Sequence, residues 1–189
     1  MHRLMMLLMF LSGPSLAGWT LDNDASRLFF ISIKKTHVAE VHRFRHLAGR
    51  VDDDGTARLD IDLNSVDTRV PIRDERMRTM LFETARFPRA SFRTRVDAAR
   101  VKGLKAGEMM RDALEGTLSL HGVEKPIHAP VVIVRLAKDR LYVASLEPVI
   151  LYAPDFGLKE GIERLRQVVK LPSISFAVPV TFSLVFQGP

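Results

Sequence analysis

The chain contains no cysteine, which excludes disulfide bridges, thiolate nucleophiles and cysteine-held metals. The absence does not assign a compartment, because a domain of this size is stable without such staples. Amphipathic aromatics are scarce: 1 Trp and 2 Tyr in 189 residues. A transmembrane β-barrel needs aromatic girdles at both membrane interfaces, so an outer-membrane barrel fits poorly. No Gly-x-Ser-x-Gly elbow is present, and nothing in the order of residues assembles a nucleophile, a base and an orienting group. Asp155-Phe156-Gly157 stands without a glycine-rich loop or catalytic-loop motif, which removes a kinase reading. There is no internal repeat and no low-complexity linker, so a chain of this length reads as one domain.

What the chain does have is a modest excess of positive charge, 28 Lys and Arg against 22 Asp and Glu, or +6 formally. Such a balance suits solubility and anionic surfaces such as phospholipid headgroups. The charges are interspersed, with no basic stripe and no stacking-aromatic motif, so nucleic acid is not an expected partner. The N-terminus is more specific. Met1-His2-Arg3 is a short positive region, Leu4 to Leu11 is apolar, Ser12-Gly13-Pro14 breaks a helix, and Ser15-Leu16-Ala17 offers small residues for cleavage. These parts stand in signal-peptide order, and the apolar run is too short to span a bilayer. Residues 1–17 are therefore expected to be a cleaved export signal, leaving 18–189 as the folded domain.

Most of the remaining segments alternate with period two, the pattern of strands with one buried face. Leu59, Ile61 and Leu63 oppose Arg58, Asp60 and Asp62. Phe92, Thr94 and Val96 oppose Ser91, Arg93 and Arg95, and Leu114, Gly116, Leu118 and Leu120 oppose Glu115, Thr117, Ser119 and His121. The last strand is the longest, with Ile174, Phe176, Val178, Val180, Phe182, Leu184 and Phe186 on one face. Pro179 inside it calls for a bend or an edge, since proline cannot donate to the ladder. With Leu28–Lys34, the region Val41–Val51, Ile127–Leu136 and Leu141–Ile150, about eight strands follow one another. Turn signals separate them at 52–55, 102–107, 137–139 and 154–157. One or two short helices interrupt the pattern. Pro71 to Leu81 has Ile72, Met77, Met80 and Leu81 on one side and Asp74 spaced to pair with Arg78; Gly161 to Val169 is a shorter amphipathic piece. The fold class is all-β, a sandwich or a closed barrel. Eight closed strands make a barrel filled by its own side chains or holding one small ligand, and periodicity alone leaves both open.

Three blocks carry a resemblance. The first runs from Ser65-Val66-Asp67-Thr68 through Ile72-Arg73-Asp74-Glu75-Arg76-Met77-Arg78 to Leu81-Phe82-Glu83-Thr84-Ala85-Arg86-Phe87-Pro88-Arg89-Ala90-Ser91-Phe92. The second is Glu115-Gly116-Thr117-Leu118-Ser119-Leu120-His121-Gly122-Val123-Glu124-Lys125-Pro126, and the third Asp155-Phe156-Gly157-Leu158. With the opening Trp19-Thr20-Leu21-Asp22, they resemble the YceI-like family, often called polyisoprenoid-binding, over essentially all of 18–189. Tyr152-Ala153-Pro154 stands where the family commonly carries a polar triplet. The resemblance implies an eight-stranded antiparallel, lipocalin-like barrel that encloses an isoprenoid tail, usually in the bacterial periplasm. The implied ligand is an isoprenoid quinone or polyprenyl lipid, with no resident cofactor and no metal. Transient contact with a membrane surface is an expected partner interaction; whether the barrel forms a homodimer is left open.

On that reading the expected ligand contacts are Phe30, Ile61, Met77, Phe92, Leu118, Phe156, Phe176 and Phe182, with Arg73 and Asp74 as the polar pair. Arg73 at the barrel mouth suits a pyrophosphate or quinone oxygen, while a structural ion pair capping the short helix is the alternative. His121 before Gly122 is expected to be structural, lacking ligating partners. His42 and His46 are about 13 Å apart along a strand, too far for one ion. An enzyme acting on such a lipid, with Arg73, Asp74 or His121 as acid or base, is the second functional class. A barrel filled by its own side chains, with no ligand, is the third.

Overall fold

A computed structural model of the chain describes residues 18–188; the expected export signal, residues 1–17, lies outside them. Twelve strand segments follow in order: β1 Gly18–Leu21, β2 Arg27–Lys34, β3 Val38–Phe44, β4 Leu47–Asp52, β5 Thr56–Asp62, β6 Val66–Asp67, β7 Arg89–Arg95, β8 Met109–Leu120, β9 Val123–Ala137, β10 Arg140–Ser145, β11 Val149–Tyr152 and β12 Ala177–Gln187. All pair antiparallel.

The twelve segments make eight long strands. β1 and β2 are halves of one strand, as are β3 and β4, β5 and β6, and β10 and β11. Neighbours then run in sequence order around the molecule, and β12 closes the ring on β1 and β2, as Phe186 pairs with Leu21 and Val180 with Phe30. The barrel is closed and eight-stranded. The breaks are satisfied locally rather than left as open backbone. At the first, the Ser26 hydroxyl donates to Asp22 O (2.6 Å) and accepts from Val185 N (3.0 Å), while Asn23 Oδ1 accepts from Leu47 N (2.7 Å).

Proline falls where one side of a strand has no partner. β12 reaches β2 only from Val180 onward, so Pro179 faces β11 alone. Pro126 and Pro130 in β9 precede Val131, where pairing with β10 begins. The β8–β9 hairpin turns on two residues, His121 (φ 53°) and Gly122 (φ 77°). Both central residues in the left-handed region give the tight turn whose twist matches its strands.

The last strand begins later than its alternation predicts. Ser175 Oγ accepts from Ala177 N (3.1 Å), a side-chain turn that breaks the phase, so Phe176 leaves the face that Val178 to Phe186 share.

Among the described residues there are three α-helices, one more than expected: α1 Pro71–Arg76, α2 Ala98–Gly103 and α3 Lys159–Val168. α2 stands where Lys102-Gly103 reads as a turn; its start is capped by Asp97, whose carboxylate accepts from Arg100 N (3.0 Å). α1 continues into a π-helical turn, Met77–Leu81, which packs on α3. Met77 and Leu81 are buried there, but Ile72 is 57% exposed, so the expected apolar side of that helix is only half used. Strand registers put α1, the π turn and α3 at one end of the barrel, beside Lys34, Arg89 and Ala177, and α2 at the other. At the α2 end the buried Arg135 guanidinium donates to Lys138 O (2.9 Å) and Val101 O (3.2 Å) and lies 4.7 Å from the Trp19 ring.

Candidate functional site

The inward faces of the strands do not meet. Val178, Val180 and Phe182 on β12 are only half-buried although they point into the barrel, because the space they face is empty. That space is a cavity of about 430 Å³, inside the usual range for ligand pockets. Every inward residue of β12 from Val178 to Phe186 lines it. At about 3.3 Å per residue that is roughly 26 Å of strand. The cavity is therefore long, and its walls are overwhelmingly apolar.

Eight of the ten expected ligand contacts stand on its wall: Phe30, Ile61, Arg73, Met77, Phe92, Leu118, Phe156 and Phe182. Asp74 and Phe176 do not. Asp74 accepts from Thr68 N (2.8 Å) and Thr68 Oγ1 (2.5 Å), so it holds the entry to α1, and Arg78 pairs instead with Glu75 at 2.8 Å. Asp74→Ala leaves two donors of the buried Thr68 without their acceptor, and should lower stability by about 1–3 kcal/mol with ligand affinity unchanged, as read by urea unfolding beside a binding titration. Phe176, on the far side of the phase break, meets Tyr152 edge-on at 6.3 Å between ring centres. His121 is also off the cavity, held by Glu83 (2.9 Å) and packed on Phe87.

Polar groups enter the cavity mainly at the helical end. Glu40 lies between Lys34 Nζ (2.7 Å) and Arg73 Nη1 (2.8 Å). Burial raises the Glu40 pKa, but the hydrogen bond from Lys34 and the charges of Arg73 and Lys34 outweigh it and hold the carboxyl below its ordinary value. Arg73 also donates to Thr68 O (2.9 Å), and its Nε is buried without a partner. Next to this group, His42 is 3% exposed. Its Nε2 shares a hydrogen bond of 2.7 Å with Ser32 Oγ, while Nδ1 has none. Burial first, then the nearby Arg73 charge, push the His42 pKa down to about 4, so the ring is neutral at neutral pH. Arg50, Arg58 and Thr94 are the polar contributions toward the α2 end.

Alternation made these residues readable. Ser32 and Lys34 continue the inward phase of Leu28 and Phe30, and Glu40 and His42 that of Phe44. Among the described residues no group of three or more His, Asp or Glu is placed to hold a metal ion.

A pH prediction follows from His42. Unfolded, it takes up a proton below its ordinary 6.5; folded, only near 4. Between those values the unfolded state binds more protons, so stability falls as pH drops through that window, by up to about 3 kcal/mol. Glu40 and Asp67 are held below the carboxylate range, so their contributions are lost only at lower pH. His42→Gln cannot titrate, and should flatten the change in urea midpoint between about pH 6.5 and 4.5; an unchanged slope would remove His42 as its source.

Comparison with known proteins settles the family. The model of the YceI-like domain matches residues 19–186. The chain belongs to the YceI-like family. The polyisoprenoid binding domain from Saccharophagus degradans implicated in plant cell wall breakdown is 44% identical, with a TM-score of 0.90 over 92% of this chain and 99% of that one. BcnA of Burkholderia cenocepacia shares the YceI-like barrel at 16% identity and a TM-score of 0.68, over 87% of this chain and 98% of its own. The Campylobacter jejuni YceI protein does so at 15% and 0.57, over 78% and 84%. No curated protein matches the chain.

Proposed function

We propose that this YceI-like barrel is a binding protein that carries or sequesters an isoprenoid-tailed lipid, a quinone or a polyprenyl phosphate, in the bacterial periplasm. The carrying observation is the long cavity lined by half-buried inward side chains of β12. A packed core would have buried them. The 44% identical Saccharophagus domain, described as polyisoprenoid binding, supports the ligand class. The signal-like order of residues 1–17 supports export. Each buried CH₂ of a guest contributes about 0.8 kcal/mol, so a branched chain reaches useful affinity without polar contacts.

The same geometry favours binding over catalysis. Two candidate acid–base groups, Asp74 and His121, are committed to Thr68 and Glu83 away from the cavity. The outer wall carries charges such as Arg93, Glu115 and Glu124, while the inner wall is overwhelmingly apolar. That is the reverse of a lipid-facing barrel.

Native mass spectrometry of the protein from a bacterial host is expected to show a co-purified isoprenoid lipid, and an apo protein should take up geranylgeraniol with a stoichiometry of one. An apo mass that geranylgeraniol does not shift would sink the reading.

A further inference from the structure

The helical end of the barrel has a rim unlike the other end. Exposed apolar side chains stand there on several elements: Val38 on β3, Val70 and Ile72 at the start of α1, and Val168 and Val169 at the end of α3. Ile72 is 57% exposed and the four valines between 40% and 44%. These elements meet around one opening. Arg73 of α1 reaches Glu40 of β3, Lys34 of β2 bridges Ile174, and Lys35 N donates to Ser173 O (3.1 Å). Lys34, Glu40, Arg73, Arg76 and Val169 also line the cavity, so the rim is continuous with its mouth.

Cations are interleaved with the apolar residues. Lys35, Arg69 and Lys170 are exposed, Arg76 is half-buried, and none of the four takes part in an ion pair among the described residues. The acids beside them are already engaged: Glu40 with Lys34 and Arg73, Asp74 with Thr68, Glu75 with Arg78. The α2 end differs in degree: there Lys102 pairs with Asp53 and Arg95 with Asp54, Lys105 and Lys138 take part in no ion pair among the described residues, and Met109 and Leu136 are its exposed apolar side chains. Lys35, Arg69 and Lys170 also hold left-handed backbone (φ 50°, 62° and 50°), a conformation that non-glycine residues seldom adopt. Unpaired cations among exposed aliphatic side chains match the two layers of a bilayer surface, anionic phosphates and the first methylenes beneath them.

We propose that this rim docks the barrel on an anionic phospholipid surface, with the cavity mouth turned to the bilayer. The site is peripheral, as no helix among the described residues is long and apolar enough to cross a membrane. An isoprenoid tail then passes between bilayer and cavity without crossing water. The purpose of docking rests on the carrier reading; the docking itself is measured with no isoprenoid present, so the two fail separately.

Co-sedimentation of the purified protein with vesicles tests it. Binding is expected to vesicles of phosphatidylcholine with a quarter phosphatidylglycerol at about 50 mM salt, and to weaken at least about fivefold in about 500 mM salt or with phosphatidylcholine alone. Lys35→Glu, Arg69→Glu and Lys170→Glu together should reduce binding at least about tenfold, with uptake of geranylgeraniol retained. The matched reversal at the other end, Lys102→Glu, Lys105→Glu and Lys138→Glu, removes the same charge and should cost no more than about twofold. Equal losses from the two triple variants would mean that net charge alone acts, and would overturn the proposal, as would the absence of vesicle binding by the unaltered protein. If the first triple variant fails to fold, Ile72→Ser with Val168→Ser alters only exposed side chains off the cavity wall; it should weaken binding at least about threefold, and unchanged binding overturns the proposal.

Discussion

Val180→Trp is expected to abolish lipid uptake while leaving the barrel folded. Val180 pairs with Phe30 near the middle of the cavity and points into it, half-buried, with empty space ahead. An indole there occupies room instead of displacing packed neighbours, so the usual penalty for overfilling a core does not apply. The chain it displaces is worth about 0.8 kcal/mol per CH₂. Blocking four or five such groups removes about 3–4 kcal/mol, or roughly two to three decades of affinity. A geranylgeraniol titration read beside a thermal melt separates the outcomes. Lost uptake with an unshifted melting temperature places the ligand in the cavity. Full uptake would mean that the guest binds elsewhere.

The largest expected effect on stability lies at the opposite end. Trp19 is 8% exposed, anchors β1 where the ring closes, and covers the guanidinium of Arg135. Arg135 is 7% exposed and, among the described residues, no carboxylate is paired with it; two backbone carbonyls and the indole face meet its charge. Trp19→Ala removes a large buried side chain and wets a buried cation, so a loss of about 3–5 kcal/mol is expected. For a domain of this size that is on the order of 10 °C in melting temperature. Arg135→Met should cost less, because a flexible apolar side chain refills the space and no charge is left behind. The double variant should recover about 1–2 kcal/mol of the summed losses, the part owed to the cation over the ring. Strict additivity would mean that the two residues act independently.

Much of the barrel was legible because alternation is a local property. A strand with one wet and one apolar face announces itself residue by residue, so β5, β7, β8 and β9 could be read directly. Eight strands were countable even though four of them are broken, since the breaks at 22–26, 45–46, 63–65 and 146–148 cover only a few residues each. What escaped was set by single hydrogen bonds. The Ser175 turn moved the start of the last strand and turned Phe176 aside, and the Asp97 cap made a helix of a stretch that reads as a turn. Asp74 resembled half of a polar pair with Arg73, but six residues back its partner is Thr68. Spacing removes His42 as a metal ligand, while its inward phase, shared with Glu40 and Phe44, stands in the same alternation.

The sequence by itself determined the all-β class, the approximate number of strands, which face of each is apolar, the lack of cysteine chemistry and the family blocks. All of these depend on residues close together in the chain. Whether the eight apolar faces touch was decided only by the tertiary structure. An inward leucine looks the same in a sequence whether it meets another side chain or an empty channel. The difference comes from the closure of β12 on β1 and β2, which sets how far apart opposite walls stand. The same closure gathers Ser32, Lys34, Glu40, His42 and Arg73, which come from three elements up to 41 residues apart, at one end of that channel.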